Sequence, residues 1–134
     1  MKSEELLGIV GMSTMIVRAA DTSVASGVND LPVLSASSAQ ALVESACSAA
    51  LAEYFAPGET SFTTSVEITM ETSISVGEEA RAHVRLVEVG ENSVTFEAAI
   101  THLNRTIATA HVQRRLIDRL SFMARIAAER IVSA

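Results

Sequence analysis

The segment Ser37–Phe55 (SSAQALVESACSAALAEYF) constrains the fold of this chain more than any other. Ser37 with Gln40 three residues on matches a capping box, in which each side chain satisfies a free backbone N–H at a helix start. Pro57-Gly58 then ends the helix, since proline cannot continue one and glycine suits the chain reversal after it. Between these signals Ala39, Ala41, Ala46, Ala49, Ala50 and Ala52 surround Leu42, Val43, Cys47 and Leu51. A helix with so little bulk and so few charges is expected to be buried on most sides, with other backbones approaching it closely.

The rest of the chain supplies strands to cover it. Gly8–Arg18, rich in Ile, Val, Thr and Met, reads as a first strand, and Ala19–Leu34 as a loop carrying Asp21, Gly27, Asn29, Asp30 and Pro32. In Phe62–Val76 apolar and polar residues alternate, with Phe62, Thr64, Val66, Ile68, Met70, Ile74 and Val76 on one parity. At about 3.3 Å per residue that strand would span roughly 50 Å, so a bend or bulge is expected within it. Ala80–Val89, Ser93–His102 and Thr106–Ile117 follow, joined by turns at Gly90-Glu91-Asn92 and Leu103-Asn104, and Arg119–Val132 closes the chain as an amphipathic helix. No linker or repeat divides residues 1–134, so the expectation is one α+β domain. In it a five-stranded antiparallel sheet curls around the long central helix, with a C-terminal helix appended.

Charge and cysteine usage narrow the function. An apolar fraction of 49% with 19% charged residues excludes a disordered chain. Cys47 is the single cysteine, which excludes an intramolecular disulfide and a multi-cysteine zinc site. The net charge of −6 argues against nucleic acid as a partner. Six of the nine arginines nevertheless fall in Arg105–Ala134 against only Asp118 and Glu129, a net of +4 that leaves −10 elsewhere. Such a basic end suits either a phosphorylated small molecule or a solvated helix face. Glu4 and Glu5 follow Lys2 at once, unlike a signal peptide, and no stretch approaches the roughly 20 apolar residues of a membrane span. A cytoplasmic protein with no membrane partner is expected.

Three segments narrow the family. LPVLSASSAQALVESACSAAL, PGETSFTTSVEITMETSISVGEEARAHVRL and IATAHVQRRLIDRLSFMARI resemble the fluoroacetyl-CoA thioesterase-like branch of the hotdog-fold superfamily over about residues 8–126. The resemblance implies a homodimer joined edge to edge through its sheets, or a tetramer of two such dimers, with an acyl-CoA site between protomers beside the helix start. It implies no cofactor beyond the CoA of the substrate. The branch's helical acid matches Glu44, its strand histidine falls at Met70, and its oxyanion glycine at Thr63. Its hydroxyl falls at Ala36, with Ser35 and Ser37 on either side, so that a one-residue slip makes either serine the equivalent. The late G-x-H-x-R pattern falls on Ala110, Val112 and Arg114, with His111 one position away. Methionine cannot shuttle a proton, and His111 is no simple substitute because a one-residue shift points a strand side chain to the opposite face.

From the residues themselves, Glu44 is the strongest candidate: a carboxylate among Ala, Ser, Leu, Val and Cys, where burial would suit it to act as a base near neutral pH. Ser35 and Ser37 join it as catalytic candidates at a helix N-terminus, where free N–H groups stabilise an oxyanion, although capping alone also explains Ser37. The resemblance makes Met70 and Thr63 the expected substrate contacts, and Arg114 and Arg115 the expected contacts to CoA phosphates, since arginine forks onto phosphate oxygens. Glu67 and Glu71 read as solvent-facing, and His83, His102 and His111 lie on three strands without metal-ligand spacing, so no metal site is expected. The leading expectation is an acyl-CoA thioesterase. The alternatives are a non-catalytic acyl-CoA-binding hotdog protein and, behind both, a hydratase or dehydratase on the same fold.

Overall fold

A computed structural model describes residues Glu5–Ser133. The chain forms β1 (Val10–Ile16), α1 (Ala36–Leu51), β2 (Glu59–Met70), β3 (Glu79–Val89), β4 (Ser93–His102), β5 (Arg105–Asp118) and α2 (Arg119–Ser133). Short 3-10 turns occupy Ala19–Asp21 and Ala52–Tyr54. All strand pairs are antiparallel, in the order β1-β3-β4-β5-β2, so β1 and β2 are the edges.

The inner face of the sheet wraps α1, the hotdog arrangement. Helical spacing puts Ala39, Leu42, Val43, Ala46, Cys47, Ala50 and Leu51 on its buried side. They meet Ala82, Val84 and Leu86 of β3, Val94, Phe96 and Ile100 of β4, and Ala108 and Val112 of β5, all buried. Gly11 is where β1 crosses the helix: a Cβ there would lie 2.8 Å from the Cβ of Ala50 and closer still to the carbonyl oxygen of Ala46. Only a residue without a side chain lets the strand lie this near the helix.

Several details differ from the sequence expectation. The helix starts at Ala36, and its cap is Ser35, not Ser37: the Ser35 hydroxyl accepts from the Ser38 backbone N–H at 3.1 Å. Backbone bonds from Leu34 N–H to Ile74 O and from Ser35 N–H to Asp21 O hold the chain extended up to Ser35, so Ser37 falls inside the first turn. Asp21 is fixed in turn, its carboxylate accepting from the Arg18 backbone N–H at 2.9 Å. α1 is buried on one side only; Ala41, Ser45, Ser48 and Ala49 are exposed in a single chain, because the five strands reach round half the helix.

The expected bulge in β2 lies between Thr63 and Ser65. It switches the parity of the strand, so Val66, Ile68 and Met70 point inward whereas Phe62 points outward against Phe122 of α2, ring centroids 5.3 Å apart. The strand ends at Met70 rather than Val76, and Ile74 is buried from the following loop. Leu103 and Asn104 both adopt left-handed φ (48° and 66°), the geometry of a two-residue hairpin turn between β4 and β5. α2 begins under its own cap, the Asp118 carboxylate accepting from Ser121 N–H at 2.9 Å, and its Leu120, Met123, Ile126 and Ile131 remain exposed. No helix among the described residues is long and apolar enough to cross a membrane.

Candidate active site

Along α1 the residues Ser37, Gln40, Glu44 and Ser48 succeed one another at three- and four-residue spacing, forming a polar stripe beside the apolar one. Glu44 is the only acid in this helix. It is half-buried, and its Oε2 accepts from Nε2 of Gln40 at 3.4 Å. Neighbouring Ser45 exchanges a hydroxyl bond with Ser13 of β1 at 3.2 Å.

β2 runs antiparallel to this stripe. Its beginning lies at the far end of the helix, where the buried Arg114 of β5 donates to Ser61 Oγ (2.7 Å), Thr63 Oγ1 (3.0 Å) and Ser48 Oγ (3.4 Å). Its end leads to the helix start, where the Ser73 hydroxyl donates to Leu34 O at 2.7 Å. Glu44 lies on α1 between its capped end and Ser48, one turn further on, which Arg114 bonds. Met70, half-buried on the inner face, is paired with Ala108.

The two serine candidates have separate fates. Ser35 is buried (1% exposed), its hydroxyl committed to the Ser38 N–H and bonded to Ser37 Oγ at 3.1 Å. Ser37 is exposed. The N–H groups of Ser38 and Ala39 are taken by Ser35, so those of Ala36 and Ser37 are the orphan donors of the helix end. Seven residues separate Ser37 from Glu44, roughly 10 Å along the axis. The Glu44 side chain leans back towards the N-terminus.

The paired arginines do not act together. Arg114 lies on the inner face, 7% exposed and forked onto neutral hydroxyls, whereas Arg115 points outward, where it lines a hollow of about 300 Å³ with Asn92, Ser121 and Arg125. Strand alternation separates them. Burial pushes the Cys47 thiol up to about 12, against the pull of the nearby Arg114 cation, so Cys47 is an inert packing residue. Among the histidines, His102 bonds Glu79 O through Nδ1 (2.7 Å) and pairs with Glu78 (3.2 Å), while His83 and His111 lie on the outer face of the sheet with Glu67. No group of three or more His, Cys, Asp or Glu among the described residues could hold a metal ion. Sequence reasoning missed two residues of this site: Gln40, read only as half of a capping box, and Ser48, whose place one turn after Glu44 was the available signal.

Against this geometry stand the comparisons with known proteins. The family model described as fluoroacetyl-CoA-specific thioesterase matches residues 15–120. No curated protein matches the chain by sequence. Among solved structures, the fluoroacetyl-CoA thioesterase FlK superposes with a TM-score of 0.83 at 20% identity, covering 91% of this chain and 95% of that one. A hot-dog-like protein from Thermanaerovibrio acidaminovorans gives 0.89 at 17% identity, over 96% and 97%. A hypothetical protein of the thioesterase superfamily from Thermus thermophilus gives 0.84 at 17%, over 96% of each chain. At such identities the structural likeness establishes the fold.

Proposed function

The chain belongs to the fluoroacetyl-CoA-specific thioesterase family, and from that premise we propose that it is an acyl-CoA thioesterase with Glu44 as its general base. The observation that carries the assignment is Glu44 itself: a single half-buried carboxylate on α1, two turns after the free N–H groups of the helix start. A mutant of FlK is known in complex with acetyl-CoA, and the same ligand class suits this site.

In the reaction Glu44 takes a proton from water as the water oxygen attacks the thioester carbonyl carbon. The carbonyl oxygen becomes an oxyanion, held by the orphan N–H groups of Ala36 and Ser37 and by the positive end of the helix dipole. The C–S bond then breaks, the carboxylic acid leaves, and the proton on Glu44 passes to the CoA sulfur. Ser37, exposed beside the oxyanion, orients the carbonyl, while Ser35 builds the helix end by capping it. Met70 and Thr63 flank the acyl group on β2. Of the two candidate arginines, Arg115 would meet a CoA phosphate, because it faces outward beside Arg125 whereas Arg114 is buried.

Dimerisation through β2 completes the site. A twelve-residue edge strand with unpaired backbone groups is open to pairing with a second copy, and the exposed side of α1 would then be covered beside it.

The test is CoA release from short, medium, long and aryl acyl-CoAs by the native protein and by Glu44→Gln. Turnover in the native protein and its loss in the variant is the expected result. Saturable acyl-CoA binding without turnover by the native protein would refute catalysis and leave a binding module.

A further inference from the structure

Sequence similarity to the family's proton-relaying strand position ends at Met70, whose thioether is only a weak acceptor and carries no exchangeable proton. Something else must fix the direction of the Glu44 carboxylate, and the surroundings leave few choices. On α1 the other ionisable group nearby is Cys47, whose thiol feels both Glu44 and Arg114. Arg114 comes from β5 and is engaged by Ser48, Ser61 and Thr63. β1 contributes Ser13, which bonds Ser45. The inner positions of β2 from Ser61 to Met70 are hydroxyl or apolar residues, its one inner acid being Glu59 at the start of the strand, and those of β3 and β4 are buried apolar side chains. The group bonded to the carboxylate is the Gln40 amide, one turn earlier on the same helix and on the side towards which Glu44 leans.

We propose that Gln40 is the positioning residue of this site: its amide N–H holds Oε2 of Glu44 so that Oε1 is turned to the attacking water. The inference rests on Glu44 being the general base.

The experiment measures kcat and KM for the native protein, Gln40→Ala, Gln40→Glu and Glu44→Gln, each shown to be folded by its thermal transition. Alanine is the best helix former, so Gln40→Ala leaves the helix intact. Its kcat is expected to fall about tenfold with KM within about twofold, the split that marks an interaction made in the transition state rather than in substrate binding. Gln40→Glu keeps the side-chain length but replaces the donor with a second carboxylate at i, i+4 spacing, and should lose at least as much kcat. An unchanged kcat in Gln40→Ala, a loss confined to KM, or rescue by Gln40→Glu overturns the positioning role while Glu44→Gln stays inactive. A native protein without turnover, or an active Glu44→Gln, overturns the reading beneath it.

Discussion

Gly11→Ala tests the packing on which the site depends. The added Cβ would sit 2.8 Å from the Ala50 Cβ and nearer to the Ala46 carbonyl oxygen, neither of them the end of a flexible side chain. Ordinary carbon contacts are about 3.5–4.0 Å, so β1 and α1 must part by about 1 Å. A gap of that size forfeits up to half of each dispersion contact along the interface, and overpacking of this kind costs about 3 kcal/mol. With an unfolding entropy of about 2.1 cal/mol/K per residue, this chain loses about 10 °C in Tm. Thermal unfolding followed by circular dichroism measures the shift, with Thr14→Val on the exposed face of β1 as an unchanged control. A Gly11→Ala transition within about 2 °C of the native one would show that strand and helix are not in the close contact described. Since that contact also bonds Ser13 to Ser45 beside Glu44, thioesterase turnover should fall with it.

Arg114→Met removes the donor shared by Ser48, Ser61 and Thr63 and should cost about 2–3 kcal/mol in urea unfolding, whereas Arg114→Lys recovers only part because an ammonium cannot fork across three hydroxyls. An unchanged urea midpoint would contradict the strap. Cys47 should resist a thiol reagent at pH 8 in the native protein and react once the chain is unfolded. Folding keeps that thiol protonated up to about 12, while in the unfolded chain it ionises near 9.0, so stability falls as pH rises through that window. The slope is about 1.4 kcal/mol per unit, and its absence from the difference between native and Cys47→Ala unfolding curves would refute the burial of the thiol.

Local pattern made most of the fold readable. The alternation in Ala80–Val89 and Ser93–His102 and the alanine-rich run before Pro57 specify strands and helix because each period needs only near neighbours. Glu44 stood out for the same reason, as a lone acid in a helix of small residues. The long alternating stretch also announced that β2 could not be straight. The parity before Ser65, which puts Phe62 outside, was illegible, since a bulge is set by the pairing with β5, which lies about fifty residues away.

The tertiary structure decided which of several locally equivalent residues does what. Ser37, with Gln40 three residues on, is the cap by sequence, yet the role fell to Ser35 because backbone bonds to Asp21 and Ile74 anchor the chain there. Arg114 and Arg115 are identical neighbours, yet strand alternation buries one beneath the sheet and turns the other outward. Gln40 changes from a capping partner into the residue that bonds Glu44 once the helix starts at Ala36. The sequence by itself determined the elements, their order and the helical acid, because those follow from local periodicity and residue type. Only the folded chain decided the cap, the bulge, the strap and the carboxylate's partner, because each depends on contacts between segments far apart in the chain.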